Sequence, residues 1–204
     1  MKRYSVNSLD LKQLADELKR GSVIIYPTET VAGIGCIGSN KKSVERVFAA
    51  KNRDADKPVS YAFANMNMAR KYVNVPTSTK PLLSLFPGPV TMIFSRIANS
   101  PPLYGIDSES VGVRIPDLPW LLQLIELVGE PIITTSANIS SFPTANTIAK
   151  MLEDKELINY VDTLIEWEGE LHGTPSTVID CRDKPKIIRE GDISKKQIDE
   201  LLLG

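Results

Sequence analysis

The chain has 204 residues, which is enough for one large domain and too few for two domains of ordinary size. Its 42% hydrophobic residues can build a substantial core, and 24% charged residues is normal for a soluble globular protein. The formal net charge of -1 excludes a globally basic nucleic-acid binder, but the segment from Lys41 to Arg96 carries ten basic residues against three acidic ones. A basic segment inside a neutral chain indicates a local anionic ligand, such as a phosphate group.

The cysteines and the apolar runs argue against secretion and against a membrane. Cys36 and Cys181 are the only cysteines and form no CxxC pair, so we expect neither a metal site nor a disulfide framework. The N-terminus begins Met1-Lys-Arg-Tyr without an apolar signal region, and no apolar run approaches the roughly 18 residues that cross a bilayer. We therefore expect a cytoplasmic protein.

Helices and strands are predicted to alternate along most of the chain. A first helix is capped by Asn7 or Ser8, repeats its apolar residues through Leu18 and ends at Gly21. The next elements are a strand at Ser22–Tyr26, a helix from Ser39 or Asn40 to about Ala50, a strand at Val59–Phe63, helices at Asn65–Val73 and Ser78–Phe86, and a strand at Val90–Ile97. Then follow a strand at Val111–Ile115, a helix at Leu118–Val128 ended at Gly129, a strand at Pro131–Thr135, a helix at Thr144–Leu152, strands at Val161–Ile165, Thr177–Cys181 and Lys186–Arg189, and a last helix at Ser194–Leu203. Because the late strands follow one another directly, the sequence predicts a single α/β domain, residues 1–204, with a mixed sheet.

Four polar segments lie where strands or helices end, which is the usual place for ligand sites in α/β proteins. The first is Pro27–Thr30 followed by Gly33 and Gly35, whose glycines would let the backbone approach a ligand closely. Taken alone, an ordinary loop with turn glycines is the simpler interpretation.

The second segment contains Lys51 and Arg53, with Lys57 just behind them. Residues two apart in extended chain point to the same side, so both cations would face one place. That arrangement suits a triphosphate, because arginine holds oxygens in pairs while lysine acts as a point charge. A basic, solvated loop is the alternative.

The third segment is the strand around Arg114, which shares one face with Gly112 while the apolar side chains occupy the other. An unpaired buried charge is costly, so Arg114 needs an anionic partner. Either a buried ion pair or a carboxylate or phosphate ligand would provide it.

The fourth segment, Thr134–Ser140, crowds hydroxyl and amide groups where a helix could otherwise begin. Ser136 and Asn138 repeat the spacing of the two cations. Helix capping explains this run about as well as ligand binding does.

Together these motifs resemble the YrdC-like family. Between Tyr26 and Gly191 the chain carries, in family order, PTET-V-x-G-x-G, KxR, PGP-x-T, VRIPD, TSANIS, PSTVID and IIR-x-G. KxR paired with SxN is the family's signature. The core motifs fall within residues 22–191, and we expect no further domain after Gly204, as in the short, single-domain members.

The resemblance implies a YrdC-like fold, a twisted mixed β-sheet with flanking helices and a concave ligand site. It also implies a threonylcarbamoyl-AMP synthase, which makes threonylcarbamoyl-AMP and pyrophosphate from L-threonine, bicarbonate and ATP. A downstream tRNA threonylcarbamoyl transferase complex would then modify the adenosine next to the anticodon. Mg²⁺ would arrive with ATP, held largely by the phosphates, and no metal site of the protein's own is implied.

Site residues follow by motif position. The resemblance implies that Lys51 and Arg53 stabilise the leaving pyrophosphate and are the catalytic pair. It assigns eight residues to ATP, namely Lys51, Arg53, Lys57, Ser110, Ser136, Asn138, Thr144 and Arg189. It assigns four residues to L-threonine, namely Thr30, Arg114, Thr134 and Ser176.

The chain departs from the family pattern at several positions. Ala32 stands where many members have tyrosine, and Ala62 and Leu118 stand where many have histidine. Asp54 replaces the usual proline after KxR. The only histidine, His172, we interpret as incidental.

Two other functions stay open. The segment from Lys41 to Arg96 could bind tRNA or double-stranded RNA without turnover, in which case affinity would fall steeply with salt. Alternatively, the changes at Ala62 and Leu118 could belong to a paralogue that makes a different carbamoyl-adenylate.

Overall fold

The computed structural model describes residues 1–54, 57–106, 109–140, 143–171 and 173–203. Within these ranges the strands are β1 (Lys2–Ser5), β2 (Ile24–Tyr26), β3 (Gly33–Gly35), β4 (Ser60–Ala62), β5 (Val73–Asn74), β6 (Val90–Arg96), β7 (Ser110–Arg114), β8 (Ile132–Ser136), β9 (Thr163–Glu166), β10 (Thr177–Asp180) and β11 (Lys186–Arg189). The helices are α1 (Leu11–Lys19), α2 (Lys41–Ala50), α3 (Met66–Ala69), α4 (Pro119–Val128), α5 (Ile148–Glu153), α6 (Lys155–Ile158) and α7 (Lys195–Leu203), with 3-10 segments at Val6–Ser8 and Thr77–Leu85. None of the helices in these ranges is long and apolar enough to cross a membrane.

One mixed sheet connects the strands in the order β1-β9-β2-β3-β8-β4-β7-β6-β10-β11, with β5 beside β6. The pairs β1/β9, β2/β9, β4/β7 and β6/β10 are parallel, and the other pairs are antiparallel. The prediction of an α/β protein with a mixed sheet is therefore confirmed.

Alternating side chains give the sheet a core on each face. In β2, Ile25 packs with the larger core, which includes α2 and α7 residues, whereas Ile24 and Tyr26 pack with the smaller one. The smaller core is formed by α1 and α4, which lie side by side. Covering both faces leaves the ends of the strands as the place where polar side chains can gather.

The capping residues explain why the sequence predicted the start of α2 and both ends of α4 correctly and the start of α1 incorrectly. Asn40 caps α2 as expected, and α4 begins with Pro119 and ends at Gly129, whose φ of 83° is left-handed. The predicted cap of α1 was wrong. Asp10 accepts bonds from the N–H groups of Lys12 and Gln13, both at 3.0 Å, because the residues proposed as caps form the 3-10 segment.

Several predicted boundaries were also wrong. The helix expected at Asn65–Val73 is only α3, and the one expected at Ser78–Phe86 is a 3-10 segment that contains Pro81. The helix expected from Thr144 begins at Ile148, because the Thr147 side chain caps it. Strand β1 was not predicted.

Strand β3 corrects the interpretation of Gly33 and Gly35 as glycines that admit a ligand. A Cβ atom on Gly35 would lie 2.1 Å from the carbonyl oxygen of Ile133 on β8, and one on Gly33 would lie 3.0 Å from the Tyr26 ring. The glycines therefore serve the packing of β3 between its two neighbouring strands, with which they pair.

Candidate functional site

A polar cavity of about 210 Å³ lies where β4, β6, β7, β8 and β10 bring their hydroxyl-bearing and cationic residues together. Its lining consists of Thr30, Val31, Arg53, Pro58, Val59, Ser60, Thr91, Arg114, Thr134, Thr135, Ser136, Pro175, Ser176, Val178 and Arg189. Seven of the twelve predicted site residues are among them. Residues separated by more than 150 positions in sequence thus form one concave surface.

Arg114, at the end of β7, is the most enclosed cation of the cavity lining, with a side chain 9% exposed. Its Nη2 donates to Glu29 Oε1 at 2.9 Å and to Thr30 Oγ1 at 2.8 Å. The buried ion pair, one of the two partners left open by the sequence, is therefore present. Within the described part of the chain, Arg114 Nε and Glu29 Oε2 are buried without a hydrogen-bond partner, so the pair has capacity for a further ligand.

The loop after β2 fixes Thr30 against this arginine. Thr28 Oγ1 accepts from the N–H groups of Thr30 and Val31 and donates to the carbonyl of Val31 at 2.6 Å. The two threonine hydroxyls also lie 2.8 Å apart. This local turn holds the Thr30 side chain facing Arg114.

Ser176 directly precedes β10, which lies between β6 and β11. Its hydroxyl is 3.2 Å from that of Thr91, and Arg189 donates to its carbonyl oxygen at 2.7 Å and 3.2 Å. Gly191 allows this close packing, since a Cβ there would lie 2.1 Å from the carbonyl oxygen of Pro175. Burial, and then the nearby Arg114 charge, lower the pKa of the Arg189 guanidinium.

Lys51 does not lie in extended chain, and that prediction was wrong. It is the C-cap of α2, and Asn52 then turns left-handed with a φ of 44°. Lys51 is 2% exposed, and its ammonium donates to the carbonyl oxygens of Ser136 and Asn138 and to Asn138 Oδ1. The alternative in which Lys51 lies in a solvated loop is therefore also wrong. Lys51 does lie beside the SxN motif, as expected.

The loop after β8 is held to α2 by this contact. Ser140 N–H donates to the Lys51 carbonyl at 2.7 Å, and Ser136 Oγ donates to Asn138 Oδ1. Burial, and then the neighbouring Arg53 charge, lower the pKa of Lys51 to about 8. The ammonium directs all three of its N–H groups to one loop.

Of the two cations of the KxR motif, Arg53 is the one that lines the cavity. Its guanidinium donates to the carbonyl oxygens of Lys57 and Pro58 at 3.0 Å and 2.8 Å, so no carboxylate neutralises it in these bonds. Burial lowers its pKa, with Asp54 acting in the opposite direction.

Five predicted ATP residues lie outside this lining: Lys51 and Asn138, which bond each other, and Lys57, Ser110 and Thr144. Lys57 is exposed and pairs with Asp54 at 2.7 Å. Ser110 is buried at the start of β7. Thr144 lines a second cavity of about 550 Å³, which also borders Asn138.

Sequence reasoning did not assign a role to Glu29, Ser60 or Thr91, which the structure places at the site. Glu29 belongs to the PTET motif and Thr91 to the PGP-x-T motif, so membership of these motifs could have pointed to both residues. Ser60 is the first residue of β4 and belongs to none of the motifs, so nothing in the sequence pointed to it. His172 lies outside the described residues, and among those that are described no cluster of three or more metal-ligating side chains occurs.

Comparison with known proteins gives a family match over most of the chain. The family model of the Sua5, YciO and YrdC proteins, described as telomere recombination, matches residues 16–191. A Methanocaldococcus jannaschii protein with the provisional name threonylcarbamoyl-AMP synthase is 33% identical over 95% of this chain and 93% of its own length. The Bacillus subtilis threonylcarbamoyl-AMP synthase is 31% identical over 97% of this chain and 58% of its own length.

The fold matches solved structures as well. Pyrococcus abyssi Sua5 complexed with L-threonine superposes with a TM-score of 0.85 and 28% identity over 98% of this chain. The match spans 60% of that protein, so the chain corresponds to somewhat more than half of it.

Proposed function

The chain belongs to the Sua5/YciO/YrdC family, and we propose that it is a threonylcarbamoyl-AMP synthase that uses L-threonine, bicarbonate and ATP. The observation that carries this proposal is the single cavity in which Arg114, Arg53 and Arg189 meet a set of hydroxyl groups. One end of this cavity suits a small polar carboxylate, and the other suits phosphate oxygens.

The amino-acid end is built around Arg114 and Thr30. The unpartnered Nε of Arg114 can donate to a carboxylate, and arginine is the residue best suited to hold one. The side chains of Thr134 and Ser176 add hydroxyl groups that can bond the hydroxyl of threonine. The cavity volume of about 210 Å³ is appropriate for a small amino acid together with part of a second reactant.

The phosphate end is built from two cations that bond carbonyl oxygens rather than acids. Arg53 and Arg189 bond backbone oxygens, so their charges remain available to an anionic ligand. In this reaction negative charge grows on the pyrophosphate as it leaves the α-phosphate, and cations already in position stabilise it. Mg²⁺ would come with ATP, held mainly by the phosphates.

In the proposed mechanism Lys51 supports Ser136 and Asn138 rather than contacting phosphate in the conformation seen here. Its three N–H groups bond acceptors of that loop. The protein's contribution is then to orient the reactants and to exclude water from the buried end of the cavity. The product, a mixed anhydride, would be consumed by a tRNA threonylcarbamoyl transferase complex in the cytoplasm.

The RNA-binding alternative finds less support in the placement of the basic segment. Arg46 pairs with Asp162, and Lys41 and Lys57 pair with acids on their own segments. Lys51 is buried, and Arg53 faces the cavity. These five of the segment's ten cations therefore do not add to an uncompensated stripe that could follow a phosphate backbone.

The test is pyrophosphate release with threonine and bicarbonate left out in turn. We expect release only when ATP, bicarbonate and threonine are present together. Equal release without threonine would contradict the assignment, and salt-sensitive binding of tRNA without any release would favour the RNA-binding module instead.

A further inference from the structure

We propose that Glu29 is a specificity-determining residue that accepts a hydrogen bond from the α-amine of the substrate. With Arg114 it would form a paired site that recognises the two charged groups of a free amino acid. This inference rests on the proposed function, because it concerns how the same cavity selects its amino acid.

The starting observation is a pair of complementary unpartnered atoms. In the described residues, Glu29 Oε2 is a buried acceptor and Arg114 Nε a buried donor, and neither has a hydrogen-bond partner. The two side chains are held together at 2.9 Å through their other atoms, so the free acceptor and the free donor lie on neighbouring groups. Leaving a buried polar atom unpaired costs about 1–3 kcal/mol, and more for a charged group, so such atoms usually mark a position where a partner binds.

A free α-amino acid matches this pair. Its carboxylate and its ammonium are attached to the same carbon, so they require a donor and an acceptor side by side. Arg114 can bind only the first, because guanidinium has no acceptor. Glu29, which is bonded to Arg114, supplies the second, and among the described residues the cavity lining itself contains no carboxylate.

The two atoms are buried beside the cavity. Arg114 and Thr30 both line the cavity, and Glu29 is the residue that precedes Thr30 in the chain. The Glu29 side chain is 19% exposed, so it is less enclosed than Arg114 and can rotate about its own bonds. A small rotation of its carboxylate would present Oε2 to an amine bound beside Thr30.

The direct test compares three ligands in calorimetric titrations of the wild type and of Glu29→Gln. The ligands are L-threonine, 3-hydroxybutyrate, which lacks the amine, and threoninol, in which an alcohol replaces the carboxylate. In Glu29→Gln, the amide oxygen will face Arg114, so the amide N–H groups will face the amine, where they cannot accept. We expect threonine and threoninol to bind about ten- to a hundred-fold more weakly, and 3-hydroxybutyrate to bind within about twofold of the wild type.

Two controls separate this role from a structural one. Glu166→Gln removes the same charge from an ion pair with Arg3 at the outer strands and should change none of the three affinities. If Glu29 only orients Arg114, Glu29→Gln will weaken threonine and 3-hydroxybutyrate equally, and that result overturns the proposal.

The wild type provides a test that does not depend on the variant folding. If it binds 3-hydroxybutyrate as tightly as threonine, the amine is not recognised and the proposal is wrong. Threonine-dependent pyrophosphate release by the same protein would leave the proposed function intact in that case. Absence of that release would contradict the proposed function itself.

Discussion

Replacing Lys51 with methionine should change how the stability of the protein depends on pH. Methionine keeps an unbranched stem in the buried space and removes the ammonium, which in the wild type is 2% exposed. The pKa of Lys51 is lowered to about 8 by burial, whereas in the unfolded chain a lysine titrates near its ordinary value of about 10.4.

The sign follows from the protons bound in each state. Below pH 8 both states carry the proton, so the cost of burying the charge is fully present in the folded wild type. Between about pH 8 and 10.4 the unfolded state binds more protons than the folded state, so the free energy of unfolding of the wild type rises relative to the variant. The difference between these two pKa values corresponds to roughly 3 kcal/mol over this window, at about 1.36 kcal/mol per pH unit.

Urea unfolding of the wild type and Lys51→Met at half-unit steps from pH 7 to 10 measures this difference directly. Tyrosines and cysteines whose pKa values burial raises in the folded protein also titrate at lower pH once the chain unfolds, but they are common to both proteins and cancel in the difference. Lys57→Met, which removes an exposed ammonium, controls for the change in net charge. A constant difference between wild type and Lys51→Met across the range would refute the reasoning, because it would mean that the three acceptor oxygens around the ammonium fully replace its lost hydration.

The other predictions concern turnover, selectivity and packing. Arg53→Ala should lower kcat by about a hundred-fold or more in a folded protein, the scale for losing one positioned electrostatic contact, as steady-state pyrophosphate release will show. Threonine should exceed serine by roughly ten- to a hundred-fold in kcat/KM and valine should be worse than serine, with Ser176→Ala narrowing the gap between those two. Gly35→Ala should cost about 3 kcal/mol in urea unfolding, because its Cβ would meet the Ile133 carbonyl oxygen at 2.1 Å. Gly169→Ala should cost only about 1 kcal/mol, because it meets no atom within 4 Å and its φ of 72° is the only penalty.

Local signals predicted the elements whose ends are marked by residues with one strong conformational preference. Pro119 and Gly129 fix both ends of α4, and Asn40 fixes the start of α2. Each of these residues restricts the backbone within one helical turn, so the helix end can be predicted from it without knowing the rest of the fold.

Elements that depend on distant partners could not be predicted in the same way. Strand β1 pairs in parallel with β9, from Lys2 opposite Thr163 to Ser5 opposite Glu166, and its sequence is mostly polar. Strand β3 has two glycines among its three residues, a composition typical of turns, and becomes a strand because two neighbouring strands accept it at close range.

The same distinction applies to the site. The motifs predicted which segments meet, and the contact of Lys51 with Ser136 and Asn138 follows that expectation. They could not predict which atoms are already paired, because the partner of Arg114 is 85 positions away, at Glu29. Tertiary packing decides whether a cation bonds to an acid or to a carbonyl oxygen. The identity of that partner determines which ligand the cation can bind.

The pairing of the three arginines gives the cavity its polarity. Arg114 is neutralised by Glu29, so a ligand there adds to an existing ion pair and is best matched by a molecule that itself carries both charges. Arg53 and Arg189 bond carbonyl oxygens, and burial lowers the pKa of both, which means that their surroundings disfavour the bare charge and would gain from an anion. The proposed zwitterion and polyanion would therefore each meet a charge that the fold has left unsatisfied.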